Sequence, residues 1–302
     1  MVSIIIPSYN SEATIEDCLT ALQKQTFNEP YEIILVDSSH DRTPQIVREK
    51  FGDVKFIHLE EKTDPGTARN IGIEKSRGEL LLFIDSDCRA ENDWMEKMVR
   101  HHRQNSYAAV GGAVLNGNDP DSEVAWAGYL AEFREFIPQH KAGQVRHIPA
   151  CNISYKKEIF SNLSPYNHRY YPQEDLELNH RLTRNGRKIF FDPAIRVYHH
   201  HRTSFRSFLR HQQNIGRITA KMIHLLHLQG AWIVRNRLLA VFIVPLLPFV
   251  KWARTVFLFI RLNPKILLYH PLSVVLLAVG LIYWGIGFGQ GVFTAKGISQ
   301  NV

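Results

Sequence analysis

Four short apolar runs govern the front of this chain: "VSIIIP" from residue 2, "YEIILVD" at 31–37, "VKFIHL" at 54–59 and "ELLLFID" at 79–85. Stretches with helical character fill the gaps, at 11–25 behind Ser11 and Glu12, at 43–51 behind Thr43-Pro44, and at 66–77. A polar first residue and a proline in the first turn are helix-start signals. Continuous apolar strands separated by helices predict βαβ units and a mostly parallel sheet covered on both faces. In such sheets ligands gather beyond the carboxyl ends of the strands. Asp37 and Asp85 each stand at such an end and should face one crevice.

After a helix at 91–105 the rhythm changes to α+β, which is expected to complete the same domain. The segments read as a strand at 108–115, a polar turn at 116–122 and a helix at 123–136. A strand at 145–155, a helix at 174–185 and strands at 187–191 and 195–200 follow, placing the domain at 1–202. Charge then divides the chain. The first 192 residues hold all 29 acidic side chains and 23 of the 36 basic ones, a net −6, while the remainder carries 13 basic residues and no acid. Residues 203–237 read as basic amphipathic helices and 238–302 as a membrane region. The run 238–250 is broken by Pro245 and Pro248, whereas Ile266–Ala295 contains no Lys, Arg, Asp or Glu. The second is long enough to span a bilayer, so one or two spans, or a re-entrant hairpin plus one span, are open, against a buried soluble helix. A composition 45% hydrophobic and 22% charged excludes disorder. Three dispersed cysteines, Cys18, Cys88 and Cys151, fit free thiols in a reducing compartment.

Four clusters could carry chemistry. In "FIDSDC", Asp85 and Asp87 repel each other unless something compensates them, and a divalent cation with oxygen ligands would do so. A plain acidic loop is the bland alternative. Arg69, early on a helix with Gly66, Ala68 and Gly72 beside it, suits a diphosphate or a nucleobase, or simply the surface. Glu174-Asp175 stands at a helix start, as a general base or as a cap. In "VYHHHR", His199 and His201 share one face of a strand and could extend a metal site begun by Asp87. Neither G-x-G-x-x-G after the first strand nor G-K-[ST] is present, which removes the dinucleotide fold and the phosphate-binding loop.

Taken in order, "VSIIIPSYN", "EIILVDSSHDRT", "GTARNIGIEKSRGELLLFIDSDC", "ACNISYKKEIF", "QEDLEL" and "PAIRVYHHHR" resemble an inverting family 2 glycosyltransferase with a GT-A fold over about residues 2–202. The resemblance implies that Pro7, Tyr9 and Glu12 line the nucleotide pocket and that Asp37 holds the base, with Ser38 where the family often has a second aspartate. It further implies that Arg69 contacts the nucleotide, Asp85 lies near the ribose, and Asn152 and Glu174 line the donor site. Asp87 would bind Mg²⁺ or Mn²⁺ with His199, His201 being the other choice, and Asp175 would be the base. The donor would be a nucleotide-diphosphate sugar. The basic and apolar tail resembles membrane-attached members whose catalytic domain rests on the cytoplasmic face of the cell membrane. Lys and Arg beside apolar segments favour that side, and 201–237 holds seven of them and no acid. A lipid or lipid-linked acceptor is then expected, and nucleic acid is not. The processive "QxxRW" signature is missing, with "RHQQNIGR" in its region, so transfer of one sugar is expected. A sugar nucleotidylyltransferase and a membrane-tethered binding module without catalysis are the rival readings.

Overall fold

Strand and helix alternate as expected through the front of the computed structural model, which describes residues 1–118 and 122–294. The order is β1 (Val2–Ser8), α1 (Ile15–Gln23), β2 (Tyr31–Asp37), α2 (Thr43–Lys50), β3 (Lys55–His58), α3 (Pro65–Lys75) and β4 (Leu80–Phe83). β1 pairs parallel with β2 and β4, and β2 pairs parallel with β3. Asp64 caps α3 by accepting the Thr67 N–H, and Gly72 lets the helix rest on Ile5, where a Cβ would have no room.

The chain continues through β5 (Cys88–Ala90), α4 (Trp94–Gln104), β6 (Ala109–Asn116), α5 (Glu123–Glu132), β7 (Gly143–Val145), β8 (Ile153–Lys156), α6 (Glu174–Arg184) and β9 (Ile189–His199). All nine strands form one mixed sheet in the order β3-β2-β1-β4-β8-β6-β9-β5, with β7 also paired to β9. The three-residue β5 was not expected, because so short an edge segment has no readable period. The expected strand at 145–155 is two strands with a single 3₁₀ turn at Ala150–Asn152 between them. The two expected strands at 187–191 and 195–200 are one. β9 shifts register against β6 between Gly112 and Ala113, and Pro193 falls in that irregularity, where its missing N–H costs no ladder bond. A Cβ on Gly112 would strike the Ile195 carbonyl, so the shift depends on a bare backbone there.

These elements, Met1–Gly117 and Glu135–His200, make one unit; Asn118–Arg134 and the chain from His201 make a second. The expected boundary at 202 lies at that exit, but α5, read as part of the first domain, groups with the second unit. Its apolar residues do not form one stripe, so the sequence carries no mark of which neighbour covers it. The expected turn at 116–122 lies partly outside the described residues, as does the apolar region beyond Thr294.

The second unit adds α7 (Phe205–Leu225), α8 (Ala231–Arg235), α9 (Arg237–Ile243), α10 (Leu247–Leu262), α11 (Pro264–Tyr269) and α12 (Pro271–Thr294). Arg237–Leu262 and Pro271–Thr294 are each long and apolar enough to cross a membrane. α7 lies along α12 at backbone distance: Gly216 faces the Trp284 carbonyl, Gly287 the Gln213 carbonyl, and Gly291 the Arg217 carbonyl. Glu132 of α5 accepts from Gln212 Nε2 at 2.9 Å and lies 3.5 Å from His211 Nε2.

Candidate active site

The pairing of β5 with β9 builds one half of the site. Cys88 stands opposite His199, and the His200 N–H donates to the Asp87 carbonyl at 2.8 Å. His199 Nε2 therefore lies 3.6 Å from Asp87 Oδ1, too far for a hydrogen bond. Two donors held about 2.1 Å from one Mg²⁺ or Mn²⁺ can be no more than about 4.2 Å apart, so this spacing admits a shared ion. Asp87, Cys88 and His199 are the group able to hold a metal among the described residues. Burial pushes the Cys88 thiol well above its usual range, which leaves an oxygen and a nitrogen as the hard donors. Asp87 is 43% exposed and faces outward.

Asp85 and Asp87 are set apart by a turn. β4 ends at Phe83, and the Cys88 N–H closes onto the Asp85 carbonyl at 3.0 Å. Ser86 Oγ, buried, meets Ser11 Oγ at 2.7 Å and ties the turn to the loop after β1. The compensation expected for Asp85 comes from Arg69, whose Nη2 donates to Asp85 Oδ1 at 2.6 Å. Arg69 Nη1 donates to Glu174 Oε1 at 2.9 Å, and the guanidinium lies over the Tyr166 ring at 5.4 Å. Gly66 leaves the space that brings Glu174 to α3, a Cβ there meeting Glu174 Cγ at 3.1 Å. Arg69 is thus a buried clamp between the end of β4 and the start of α6. Its two terminal nitrogens each hold one carboxylate, while the buried Nε N–H has no partner in the protein.

Burial raises the Glu174 carboxyl to about 7 against the opposing pull of Arg69. Burial also raises Asp85, with Arg69 opposing it and Asp87 adding to it. For Asp175, burial pushes upward but His147 and the Ala150 N–H outweigh it, and the carboxyl ends below its usual range. Asp175 Oδ2 accepts the Ala150 N–H at 3.0 Å and lies 3.8 Å from His147 Nε2. The Cys151 thiol, hydrogen-bonded to Cys88 and buried, sits in the field of Asp85, Asp87 and Asp175 together. The site is one anionic cluster, not three separate motifs.

The raised Glu174 carboxyl carries a stability consequence. The folded chain keeps a proton that the unfolded chain releases near pH 4.3, so Glu174's contribution is full below that value. It declines as pH rises to about 7 and is level above it. Glu174→Gln retains an acceptor for Arg69 and cannot ionise. Its stability relative to wild type is expected to grow between pH 5 and 8, by no more than about 3 kcal/mol. Thermal unfolding across that range checks this; parallel pH curves for the two proteins would refute it.

Other expected residues lie elsewhere. Asp37 is 0% exposed. Its carboxylate accepts from Ser39 Oγ at 2.5 Å and the Ser39 N–H at 3.1 Å, with His58 Nδ1 2.8 Å away. It organises the loop after β2. Asn152 accepts from Trp94 Nε1 at 2.8 Å and donates to the Ala113 and Ile195 carbonyls. Its amide is bonded to groups around the sheet. Pro7 is buried within β1 beside Val36, just past the end of the β4 pairing, where no N–H is needed. Tyr9 and Glu12 are exposed; Lys62 Nζ lies 4.2 Å over the Tyr9 ring, and Glu12 Oε2 accepts the Arg42 N–H. His201 belongs to the second unit, buried against Tyr129 and Phe133, so His199 alone of the pair meets Asp87. Ser39, His58 and His147 were not singled out from the sequence, and no spacing links them to Asp37 or Asp175.

The family described as "Glycosyl transferase family 2" matches residues 3–164. Glycosyltransferase AglE of Haloferax volcanii is 27% identical over 225 residues, covering 72% of each chain. The glucosyl-dolichyl phosphate glucuronosyltransferase of the same organism is 27% identical over 185 residues, 55% of each. Mannosyltransferase PcManGT from Pyrobaculum calidifontis, solved with GDP-Man and Mn²⁺, superposes with a TM-score of 0.63 at 19% identity, over 95% of this chain and 86% of that one. Staphylococcus aureus TarS 1–349, solved with UDP, gives 0.54 at 21% identity, over 95% and 90%. At these identities the structural likeness is one of fold.

Proposed function

The chain belongs to glycosyl transferase family 2 with a GT-A fold, and from that premise we propose a metal-dependent, inverting transfer of one sugar from a nucleotide-diphosphate donor to a lipid-linked acceptor at the cytoplasmic membrane face. Family membership removes both rival readings, nucleotidyl transfer and binding without catalysis. The observation that carries the proposal is the approach of His199 to Asp87 beside Asp85 and Asp175, at the carboxyl ends of the strands.

Asp87 and His199 would hold Mg²⁺ or Mn²⁺, which supplies Lewis-acid stabilisation of the diphosphate as it leaves. The structures of PcManGT with GDP-Man and Mn²⁺ and of TarS with UDP support that donor class. Asp85, steadied by Arg69, keeps Oδ2 for the donor side. Asp175, ionised at neutral pH, takes the proton from an acceptor hydroxyl as that oxygen attacks the anomeric carbon opposite the diphosphate. The new C–O bond forms as the bond to the diphosphate breaks, and configuration inverts. The relative named for a glucosyl-dolichyl phosphate supports a lipid-linked acceptor, as do the apolar C-terminal helices.

The test is release of nucleoside diphosphate by the full chain from a panel of UDP- and GDP-sugars, with membrane lipid extract as acceptor. Release that requires Mn²⁺ or Mg²⁺ and stops with EDTA is expected. No release with any donor would overturn the substrate reading, and release unaffected by EDTA would overturn the metal.

A further inference from the structure

The two apolar helical segments do not look alike from all sides. Along α9 and α10, Phe242, Leu246, Phe249, Phe257 and Ile260, spaced by four, three, eight and three residues, are exposed, Phe249 to 70%. At about 100° per residue they form one stripe, with Arg254 and Arg261 about a quarter turn aside and Lys251 nearly opposite. Lys251 and Arg254 fall close to the middle of Arg237–Leu262, where a spanning helix would carry them into the centre of the hydrocarbon.

On α12 the exposed residues Leu272, Val275, Ile282, Ile286 and Phe293 also follow one stripe. The other side is closed by α7, from Phe208 over Gly280 to Arg217 against Gly291. α7 is about 31 Å long by its 21 residues and carries Arg206, Arg210 and Arg217 exposed to solvent. A helix bearing those charges cannot accompany α12 through about 30 Å of hydrocarbon. Between the two exposed stripes runs a groove of about 790 Å³ lined by Val244, Pro248, Trp252, Ile282, Ile286 and Phe293.

Resting on the membrane reading above, we infer that neither segment crosses: α9–α12 enter and leave one leaflet of an anionic bilayer. The apolar stripes and groove take acyl chains, and the flanking Arg and Lys side chains lie among negative headgroups. An apolar face with basic flanks is the form of an interfacial helix, whereas a spanning helix is apolar on every lipid-facing side. Charge selects an anionic lipid as the occupant, since α9–α12 carry basic residues and no acid, and the Glu123 carboxylate of the same unit is engaged by His270 and the Ser273 N–H.

The test uses the full chain on phosphatidylcholine vesicles with and without phosphatidylglycerol, followed by flotation. Binding that favours the anionic vesicles and falls about thirtyfold in Arg254→Gln/Arg261→Gln is expected. Gln229→Cys, Lys265→Cys and Thr294→Cys, at exposed sites before α9, between α10 and α12, and at the end of α12, are then treated with an impermeant maleimide in sealed vesicles. Labelling of all three from the same side is expected; the native cysteines are buried. Labelling of position 265 or 294 only from the opposite side overturns this inference and leaves membrane binding intact. No flotation with any vesicle, or self-association through the apolar stripe instead, removes membrane binding and this inference together.

Discussion

Asp175→Asn is expected to bind the nucleotide sugar as wild type does and to turn over roughly 10²–10⁴-fold more slowly with a hydroxyl acceptor. The Ala150 N–H and His147 hold the native carboxylate ionised, so it can accept a proton at any pH near neutrality. An amide oxygen can keep the Ala150 bond but is not a base. Binding is read by titration calorimetry with the donor and turnover by release of nucleoside diphosphate. The choice of acceptor sharpens the result. A phosphate monoester is already largely ionised at pH 7 and needs no base, so with such an acceptor the loss should shrink below about tenfold. Wild-type turnover with a hydroxyl acceptor would take Asp175 out of the mechanism.

Asp87→Ala should remove about a thousandfold of turnover and make the remaining rate indifferent to Mn²⁺, matching wild type in EDTA. Asp87 is half of the pair with His199, and its open position leaves it little role in holding the fold. His199→Ala should instead raise the Mn²⁺ concentration needed for half-maximal rate and be rescued by excess ion. The unfolding temperature separates these effects from damage to the β5–β9 ladder. An Asp87→Ala enzyme that still responds to Mn²⁺ would place the ion elsewhere.

The parallel half of the sheet was legible because each strand was an unbroken apolar run and each helix carried a start signal. β5 and the join within β9 were not, since their pairing is set by Gly112 and by the exit from the Asp85–Cys88 turn, not by periodicity. Asp85, Asp87, Asp175 and His199 stand out as candidates because acidic and imidazole groups at strand and helix ends are conspicuous locally. The partners that hold Arg69, Asp37 and Asn152 in place were not legible for a common reason. Each has polar atoms held by partners far along the chain: Glu174 for Arg69, His58 for Asp37, Trp94 for Asn152. Local spacing shows which groups are polar. It does not show which are already satisfied.

The clamp made by Arg69 bears on the sequence of events at the crevice. Because its guanidinium is buried between Asp85 and Glu174, its charge is offset by those two carboxylates. A diphosphate therefore approaches a surface that remains acidic, with Asp87 open and Asp175 ionised. Attraction has to be supplied with or before the donor, so addition should be ordered: cation first, or the two as a complex, and acceptor last.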